Sequence, residues 1–319
     1  MKETTNTKRD VYAIVTDKII EMLDKGKIPW RQPWTKTGEP SNLISGKPYR
    51  GINIMLLASL GYAQNYFLSE KQAIELGATI KEDEKPHLVV FWNWQDKEAK
   101  EGEKKKKMPL LRYYMVYNVS QCIGIPSERI PETNRPVDPI ELADKIVENM
   151  PNPPEISHEY SGAFYDPTED LINIPYINSF DDKESYYSVL FHELVHSTGH
   201  GMRLARKGIT EKILFGSEQY SQEEIIAELG ACYLKNHSGI ETEPTKNNAA
   251  YIQNWLNVLK NDRKFIVYAS SFAQKAVDYV LNIEWETKDL ESSNGSIETP
   301  LSSTLSEPKK KARKKSDTV

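Results

Sequence analysis

Two histidines four positions apart, His192 and His196, constrain this chain more than any other feature of its sequence. On an α-helix, side chains at positions i and i+4 lie one turn apart on the same face, where two imidazoles can bind one metal ion. Glu193 lies between them and can reach a metal-bound water rather than the metal, so it is the candidate general base. The H-E-x-x-H pattern therefore predicts a hydrolytic zinc site with Glu193 as its catalytic residue.

The sequence around the two histidines predicts a helix over residues 183–198. Asp181 and Asp182 can cap its start, apolar residues follow at near-helical spacing, and Gly199 can end it. A histidine pair can also occur by chance on a packed helix. Here three of the six histidines lie within nine residues, in a helical frame, which favours the metal site.

A third protein ligand would complete such a site. One common solution is a histidine ten positions after the first, but that position holds Met202. The other is a glutamate on a following helix, and residues 221–231 carry Glu224 and Glu228 on one helical face. Their pattern is E-x-x-A-E, in which the first acid binds the metal and the second orients a ligating histidine. Glu224 is therefore the candidate third ligand, and Glu228 the candidate orienting acid.

Glu224 also has a purely structural interpretation. Ser221 and Glu224 match the S-x-x-E capping box, in which the glutamate only closes the start of a helix. Glu228 would then be the alternative ligand, and Glu223 is a further candidate. The sequence leaves this choice open.

The length of the chain, 319 residues, is large for one core, so we expect two domains and a tail. The predicted divisions are a first domain at 1–125, a proline-rich linker at 126–137, a second domain at 138–286 and a disordered tail at 287–319. The first domain carries 20 Lys and Arg against 15 Asp and Glu, whereas the remainder is net negative. The two domains are therefore expected to meet different partners.

Cysteine usage and hydropathy indicate the compartment. The two cysteines lie far apart without metal-ligand spacing, which is typical of reduced thiols in an intracellular chain. The sequence has no apolar run of about 18 residues and no leader pattern, so we expect a cytoplasmic protein that does not enter a membrane. The tail ends in the basic cluster Lys309–Lys315, which is expected to keep it solvated, with nucleic-acid contact as the alternative.

The first domain interleaves aromatic and basic side chains in two short segments, Pro29–Trp34 and Gly46–Asn53. Rings can stack on bases and cations can neutralise phosphates, which is the chemistry of a groove for single-stranded nucleic acid. The alternative is that the tryptophans pack a small core and that Tyr49 and Arg50 form a turn. The predicted DNA-binding residues are Trp30, Arg31, Trp34, Tyr49, Arg50 and Asn53.

Periodicity predicts the remaining elements. Residues 8–25 and 69–76 are expected to be helices, and residues 88–94 and 111–119 are expected to form a hairpin. Residues 171–174 are expected to form an edge strand beside the histidine helix, where it could align a peptide substrate. The predicted fold class is α+β, with an N-terminal α+β domain followed by a mainly helical one.

Taken together, these segments resemble the ArdC-type antirestriction proteins of plasmids and other mobile elements, over roughly residues 8–284. The basic tail is not part of that pattern. The matching segments are Ile28–Trp34, Tyr49–Asn53, Tyr117–Gln121, Phe191–His200, Arg203–Leu204, Tyr220–Ala231 and Tyr251–Trp255.

The resemblance implies an N-terminal domain that binds single-stranded DNA, a zincin-like metallopeptidase domain that holds Zn²⁺, and protection of incoming DNA from host restriction. It implies His192 and His196 as ligands, Glu193 as the base, and an acid within 223–228 as the third ligand. The expected partners are single-stranded DNA and a protein or peptide substrate, with a host restriction component as one candidate. Two alternatives are a non-catalytic DNA-binding protein with structural zinc and a metallopeptidase toxin or effector.

Overall fold

The computed structural model describes residues 10–31, 38–96, 107–131, 138–211, 218–241 and 249–283. The described residues within 10–91 and 111–283 form one compact unit. The strand ends at 92–96 and 107–110 belong to a second unit. Within the described residues, no helix is long and apolar enough to cross a membrane.

The described residues form a mixed α+β structure, as predicted. The helices are α1 (Val11–Asp24), α2 (Ile52–Ala58), α3 (Glu70–Glu75), α4 (Pro139–Glu148), α5 (Lys183–Ser197), α6 (Lys207–Thr210), α7 (Glu218–Ser238), α8 (Ala249–Asn261) and α9 (Phe265–Val280). The strands are β1 (Ser41–Asn42), β2 (Tyr66–Leu68), β3 (Thr79–Ile80), β4 (His87–Asp96), β5 (Lys107–Asn118), β6 (Cys122–Ile123), β7 (Glu155–Ser157), β8 (Phe164–Asp166) and β9 (Leu171–Asn173).

Local capping explains where the predicted N-terminal helices begin. The Asp10 side chain accepts a hydrogen bond from the backbone N–H of Tyr12 at the start of α1. Gly26 follows α1 with φ at +72°, a backbone conformation that favours glycine. Ser69 and Gln72 form a reciprocal capping box at the start of α3. Both predicted helices are confirmed by these elements.

A four-stranded sheet in the order β1-β2-β5-β4 organises the N-terminal region, and the predicted hairpin strands β4 and β5 are neighbours in it. β1 and β2 are parallel, and β2 and β5 are antiparallel. One face of the sheet packs into a core of Tyr49, Leu57, Phe67, Val89 and Val116.

Strand β4 lies at the end of this sheet, where backbone groups need other partners. Asn53 on α2 supplies them. Its side-chain amide donates to the carbonyl of Val90 at 2.7 Å, and its oxygen accepts from the N–H of Val90 at 2.8 Å. Asn53 thus satisfies both backbone groups of Val90 on the edge strand.

The N-terminal helices pack on the C-terminal ones within the first unit. α1 contacts α8 and α9, and α2 contacts α9. Thr16, which is fully buried, donates a hydrogen bond to the backbone carbonyl of Arg263 at 2.6 Å. Half of the predicted linker, residues 132–137, lies outside the described residues, and the domain boundaries stay a prediction.

A three-stranded sheet lies beside the histidine helix, in the order β7-β9-β8. β9 pairs in parallel with β7 and antiparallel with β8, so the strand predicted at 171–174 is central and its prediction as an edge strand is wrong. Ile172 at its middle is fully buried, which explains why this apolar segment takes the inner position. The strand that contacts α5 at the edge of the sheet is β8.

Candidate metal centre

The histidine helix α5 is buried along most of its length. Asp182 caps its start by accepting a hydrogen bond from the N–H of Ser185 at 2.6 Å. The helix contacts α7, α9 and β8, and it ends at Ser197, so the predicted helix is confirmed. Gly199 does not end it through a left-handed backbone. A Cβ on Gly199 would lie 2.5 Å from the side chain of Ile209, so glycine is required here for close packing.

Three side chains, His192, His196 and Glu224, meet between α5 and α7. The Nε2 atoms of the two histidines lie 3.1 Å apart. Carboxylate oxygens of Glu224 lie 3.5 Å from His192 Nε2 and 3.4 Å from His196 Nε2. A tetrahedral ion with bonds of about 2.1 Å holds its ligand atoms about 3.4 Å apart. Each separation is close to that between the ligands of a tetrahedral metal, with the two distances to Glu224 ending at different oxygens, and this donor set suits zinc.

α7 places Glu224 at this point and rules out the capping interpretation. The helix begins at Glu218, three residues before Ser221, so Ser221 lies inside the helix. Glu224 belongs to the group of donor atoms that lie within 4.8 Å of one another, and the structure does not bring Glu228 into that group. Within the described residues, no other group of three such side chains was found.

Burial and the two histidines shift the pKa values of Glu193 and Glu224. Burial raises the pKa of Glu224, but hydrogen bonds to His192 and His196 outweigh it and lower the pKa below its ordinary value. Burial raises the pKa of Glu193, against the charges of both histidines. Glu193 is 8% exposed and has a backbone hydrogen bond from Tyr165 on β8. A buried carboxylate with a raised pKa suits a group that takes up and returns a proton.

Glu223 faces the other nitrogen of His196. Its Oε1 lies 3.4 Å from His196 Nδ1 without a hydrogen bond between them, so Glu223 stands on the side of His196 from which an acid could orient this ligand. Arg206 donates from Nη2 to Glu223 Oε1 at 2.5 Å and from Nε to Oε2 at 3.1 Å. Arg206 also donates to the carbonyl of Val195 and to the hydroxyl of Thr198, at 2.7 and 2.6 Å.

Two glycines allow this close packing. A Cβ on Gly230 of α7 would lie 2.7 Å from the Val195 side chain of α5, so Gly230 lets the two helices approach each other. A Cβ on Gly208 of α6 would lie 2.8 Å from Glu223 Oε2. Neither glycine has a left-handed backbone, so what each provides is space.

A second arginine, Arg203, anchors the segment that follows α5. It makes two hydrogen bonds of 2.8 Å to the carboxylate of Asp170, and Nη1 also donates to the carbonyl of Ser197 at 3.0 Å. The hydroxyl of Tyr165 donates to Asp170 at 2.8 Å. The arrangement ties α5 to β8 and to the β8–β9 turn.

The predicted DNA-binding residues lie elsewhere, and most that the structure describes are packed. Trp30 is fully buried, stands 4.2 Å from Trp255 between ring centroids, and donates from Nε1 to the hydroxyl of Tyr251 at 3.1 Å. Trp34 and the side chain of Arg31 lie outside the described residues. The placement of Trp30 agrees with the alternative that the tryptophan packs a core.

The second predicted DNA-binding segment is also part of the packing. Tyr49 is 7% exposed within the core of the N-terminal sheet. Arg50 forms an ion pair with Asp278 of α9. Asn53 completes the edge of β4, as described above. All three residues make contacts within the protein, and their role in DNA binding stays a prediction.

Sequence reasoning missed Arg206 and gave Glu223 only a minor place. A helix pattern relates residues three or four positions apart, but Arg206 lies ten positions beyond His196 and reaches back to it across a turn. The one available signal in the sequence was the pair of adjacent glutamates on a helix predicted to be buried, because a buried carboxylate needs a cationic partner.

Comparisons with known proteins define the class. Residues 9–117 match the N-terminal domain of anti-restriction factor ArdC, and residues 141–272 match a zincin-like metallopeptidase domain. The chain therefore carries a zincin-like metallopeptidase domain after an ArdC N-terminal domain.

Solved structures identify the family. The metal-free crystal structure of antirestriction ArdC protein from the R388 plasmid is 34% identical, with a TM-score of 0.68, and the match covers 85% of this chain and 96% of that chain. The Mn(II)-bound crystal structure of the same protein gives a TM-score of 0.69 and covers 86% and 97%. The chain belongs to the family of ArdC-type antirestriction proteins.

Curated relatives extend the comparison. The uncharacterized protein y4eC of Sinorhizobium fredii is 32% identical over 295 residues, which cover 87% of this chain and 93% of that protein. Two DNA primases TraC of Escherichia coli are 30% and 31% identical, but the matches span only 29% and 20% of their length. The chain thus corresponds to a part of those primases.

Proposed function

We propose that this protein is a zinc-dependent peptidase that binds single-stranded DNA and protects the DNA of a mobile element from host restriction. The peptidase part rests on one observation: the imidazoles of His192 and His196 and the carboxylate of Glu224 lie within 3.5 Å of one another beside the buried Glu193. Membership of the ArdC family supports the antirestriction role. The related R388 structure holds Mn(II), and we propose Zn²⁺ here because two imidazoles and one carboxylate are a common zinc ligand set.

The chain's own residues supply the remaining chemistry. His192, His196 and Glu224 would hold the ion, which would polarise a peptide carbonyl and activate a water. Glu193 accepts the proton of the attacking water and delivers it to the leaving amine, a transfer for which its raised pKa is suited. The backbone hydrogen bond from Tyr165 orients the Glu193 carboxylate. β8, at the edge of its sheet, is the strand on which an extended peptide could pair.

Glu193→Gln separates catalysis from metal binding, because it keeps the size and polarity of the side chain but removes the base. We expect zinc content near one per chain, measured by elemental mass spectrometry, and peptide hydrolysis slower by about 10²- to 10⁴-fold. Unchanged hydrolysis with zinc still bound would exclude the proposed catalytic role. A wild-type chain that takes up no metal would exclude the metal site itself.

We also propose a surface for the DNA. Phe91 on β4 and Tyr114 on β5 are 43% and 39% exposed, with ring centroids 5.7 Å apart. Strand alternation puts Arg112 on the same face as Tyr114, and its Nε atom is buried without a hydrogen-bond partner among the described residues. Two exposed rings beside a guanidinium provide base stacking and phosphate contact, in a region whose sequence is net positive.

Strand alternation also provides a matched control for this surface. Tyr113 is 49% exposed on the opposite face of β5, next to Tyr114 in sequence. We expect Tyr114→Ala to weaken binding of a labelled thymidine oligonucleotide by about 5- to 150-fold, since one stacked base contributes about 1–3 kcal/mol. Tyr113→Ala should bind like the wild type. Equal affinity for the wild type and both variants would exclude this surface, whereas no binding by the wild type would exclude the DNA-binding function.

A further inference from the structure

Two adjacent acids of α7, Glu223 and Glu224, have entirely different surroundings. The Glu224 side chain is 38% exposed, and its oxygens face the Nε2 atoms of both histidines. The Glu223 side chain is 5% exposed and faces His196 from the Nδ1 side. Neighbouring residues on a helix project about 100° apart, so both can reach His196 from different directions. Helix geometry alone therefore does not decide which acid binds a metal.

Arg206 occupies both oxygens of Glu223. The guanidinium makes three hydrogen bonds to this carboxylate, between 2.5 and 3.2 Å, and both side chains are nearly inaccessible to solvent. A guanidinium presents a planar fork of donors that fixes the plane of a carboxylate as well as its charge. Glu223 is therefore held in one orientation, in which Oε1 accepts a hydrogen bond from Arg206 and lies 3.4 Å from His196 Nδ1.

Arg206 is itself fixed by the helix that carries the histidines. Its Nη1 and Nη2 donate to Thr198 and to the carbonyl of Val195, in the last turn of α5. Nη2 also lies 3.4 Å from the carbonyl of His196. A cation at a helix C-terminus is favoured by the unpaired carbonyls there. Arg206 thus fixes the position of Glu223 relative to the end of α5, the helix that carries His196.

The backbone leaves just enough room for this arrangement. A Cβ on Gly208 would lie 2.8 Å from Glu223 Oε2, and a Cβ on Gly199 would lie 3.1 Å from Arg206 Nη2. Larger residues at either position would displace the guanidinium or the carboxylate. Gly208 therefore leaves the space for Glu223, and Gly199 leaves space for Ile209 as well as for Arg206.

We propose that Arg206 is a positioning residue that assigns the two acids of α7 to different roles. It holds Glu223 at the Nδ1 side of His196, and so leaves Glu224 as the acid that binds the metal. The inference rests on the proposed metal site. Without Arg206, the buried charge of Glu223 has no fixed partner, and it competes for the histidines and the metal.

The test is a titration of the full-length, metal-free chain with Zn²⁺ in competition with a chromophoric chelator. Outer partners of metal ligands typically change affinity by about 10- to 100-fold, and we expect Arg206→Met to weaken Zn²⁺ binding by that factor. Arg203→Met is the matched control, because Arg203 also bonds to a carbonyl of α5 and to a partly buried acid, Asp170, but does not bond to Glu223. It should bind Zn²⁺ within about threefold of the wild type.

A double substitution distinguishes positioning from general damage. Glu223→Gln removes the buried charge and keeps an oxygen near His196, so Arg206→Met with Glu223→Gln should bind Zn²⁺ as well as Glu223→Gln alone. Additive losses, or a wild-type affinity in folded Arg206→Met, would overturn the proposal. If Arg206→Met does not fold, Arg206→Lys keeps the charge but not the fork, and a wild-type affinity there overturns it equally. Failure of the wild type to bind Zn²⁺ would reject the metal site instead.

Discussion

The metal centre and the aromatic segments of the N-terminal region were both predicted from residue types, yet they relate to the structure differently. His192 and His196 stand at a fixed spacing on one helix, which puts both imidazoles on the same face, and their Nε2 atoms lie 3.1 Å apart. Trp30 and Tyr49 belong to segments selected by composition, and both are buried. Spacing on a regular element predicts geometry, whereas composition leaves open which side of a residue faces solvent.

The difference has a physical origin. Aromatic side chains carry large apolar areas, so the same residue type favours a protein core and a stacking surface. Phe91 and Tyr114 are exposed rings on one face of the N-terminal sheet, and neither belongs to the segments with interleaved basic residues. Val89 and Val116 lie in the core on the same face of the sheet. Phe91 and Tyr114 lie two positions nearer the hairpin end, where the strands extend past the core, so their rings are exposed.

The largest expected effect is a loss of metal binding that leaves DNA binding unchanged. We expect His192→Ala to weaken Zn²⁺ binding by more than about 100-fold, because loss of a ligand exceeds the cost of losing an outer partner. Binding of single-stranded DNA should be unchanged. Chelator competition and fluorescence anisotropy on the same preparation measure both. A parallel loss of DNA affinity would mean that the two regions act as one site.

Trp30→Ala tests the structural side of the comparison. It removes a fully buried ring that packs on Trp255, and we expect the free energy of unfolding to fall by about 3–5 kcal/mol. Urea denaturation measures this change. For comparison, the free energy of unfolding of Tyr114→Ala should lie within about 1 kcal/mol of the wild-type value, because the Tyr114 ring is partly exposed. A stable Trp30→Ala chain with weakened DNA binding would restore the predicted contact role of Trp30.

Asn53→Ala should have a smaller effect. It leaves the N–H and carbonyl of Val90 without their side-chain partner, which is expected to cost about 1–3 kcal/mol. Hydrogen exchange should show faster exchange at the Val90 amide. If that amide exchanged as in the wild type while DNA affinity fell, Asn53 would be a contact residue and its edge-strand role would be secondary.

The smallest effect concerns pH. Partial burial raises the pKa of Asp170, but hydrogen bonds from Arg203 and Tyr165 outweigh it and hold the pKa below its ordinary value. Because the folded pKa is depressed, this stabilisation is complete above the unfolded pKa of about 3.9 and is lost as pH falls below it. Asp170→Asn should therefore flatten the fall in stability between about pH 5 and pH 3. Asparagine tolerates the left-handed backbone of this position, where φ is +53°.

How much of the molecule the sequence could reveal depends on the range of the interactions involved. The helix at 183–198, the helix at 69–76 and the hairpin strands follow from local periodicity and capping. The inner position of β9 does not, because strand order is decided by which apolar segment the rest of the fold covers. The assignment of Glu223 to His196 depends on Arg206, which approaches across a turn that no periodic pattern encodes.

The packing of α1 and α2 on α8 and α9 has a consequence for dividing the chain. Thr16 donates to the backbone of Arg263, and Tyr12 and Tyr268 have hydroxyl oxygens 3.3 Å apart, so the beginning of the N-terminal region covers part of the C-terminal helices. A fragment cut near residue 125 would leave these surfaces uncovered on both pieces. The two fragments should then reassociate when mixed, which makes the chain a candidate for complementation from separately expressed halves.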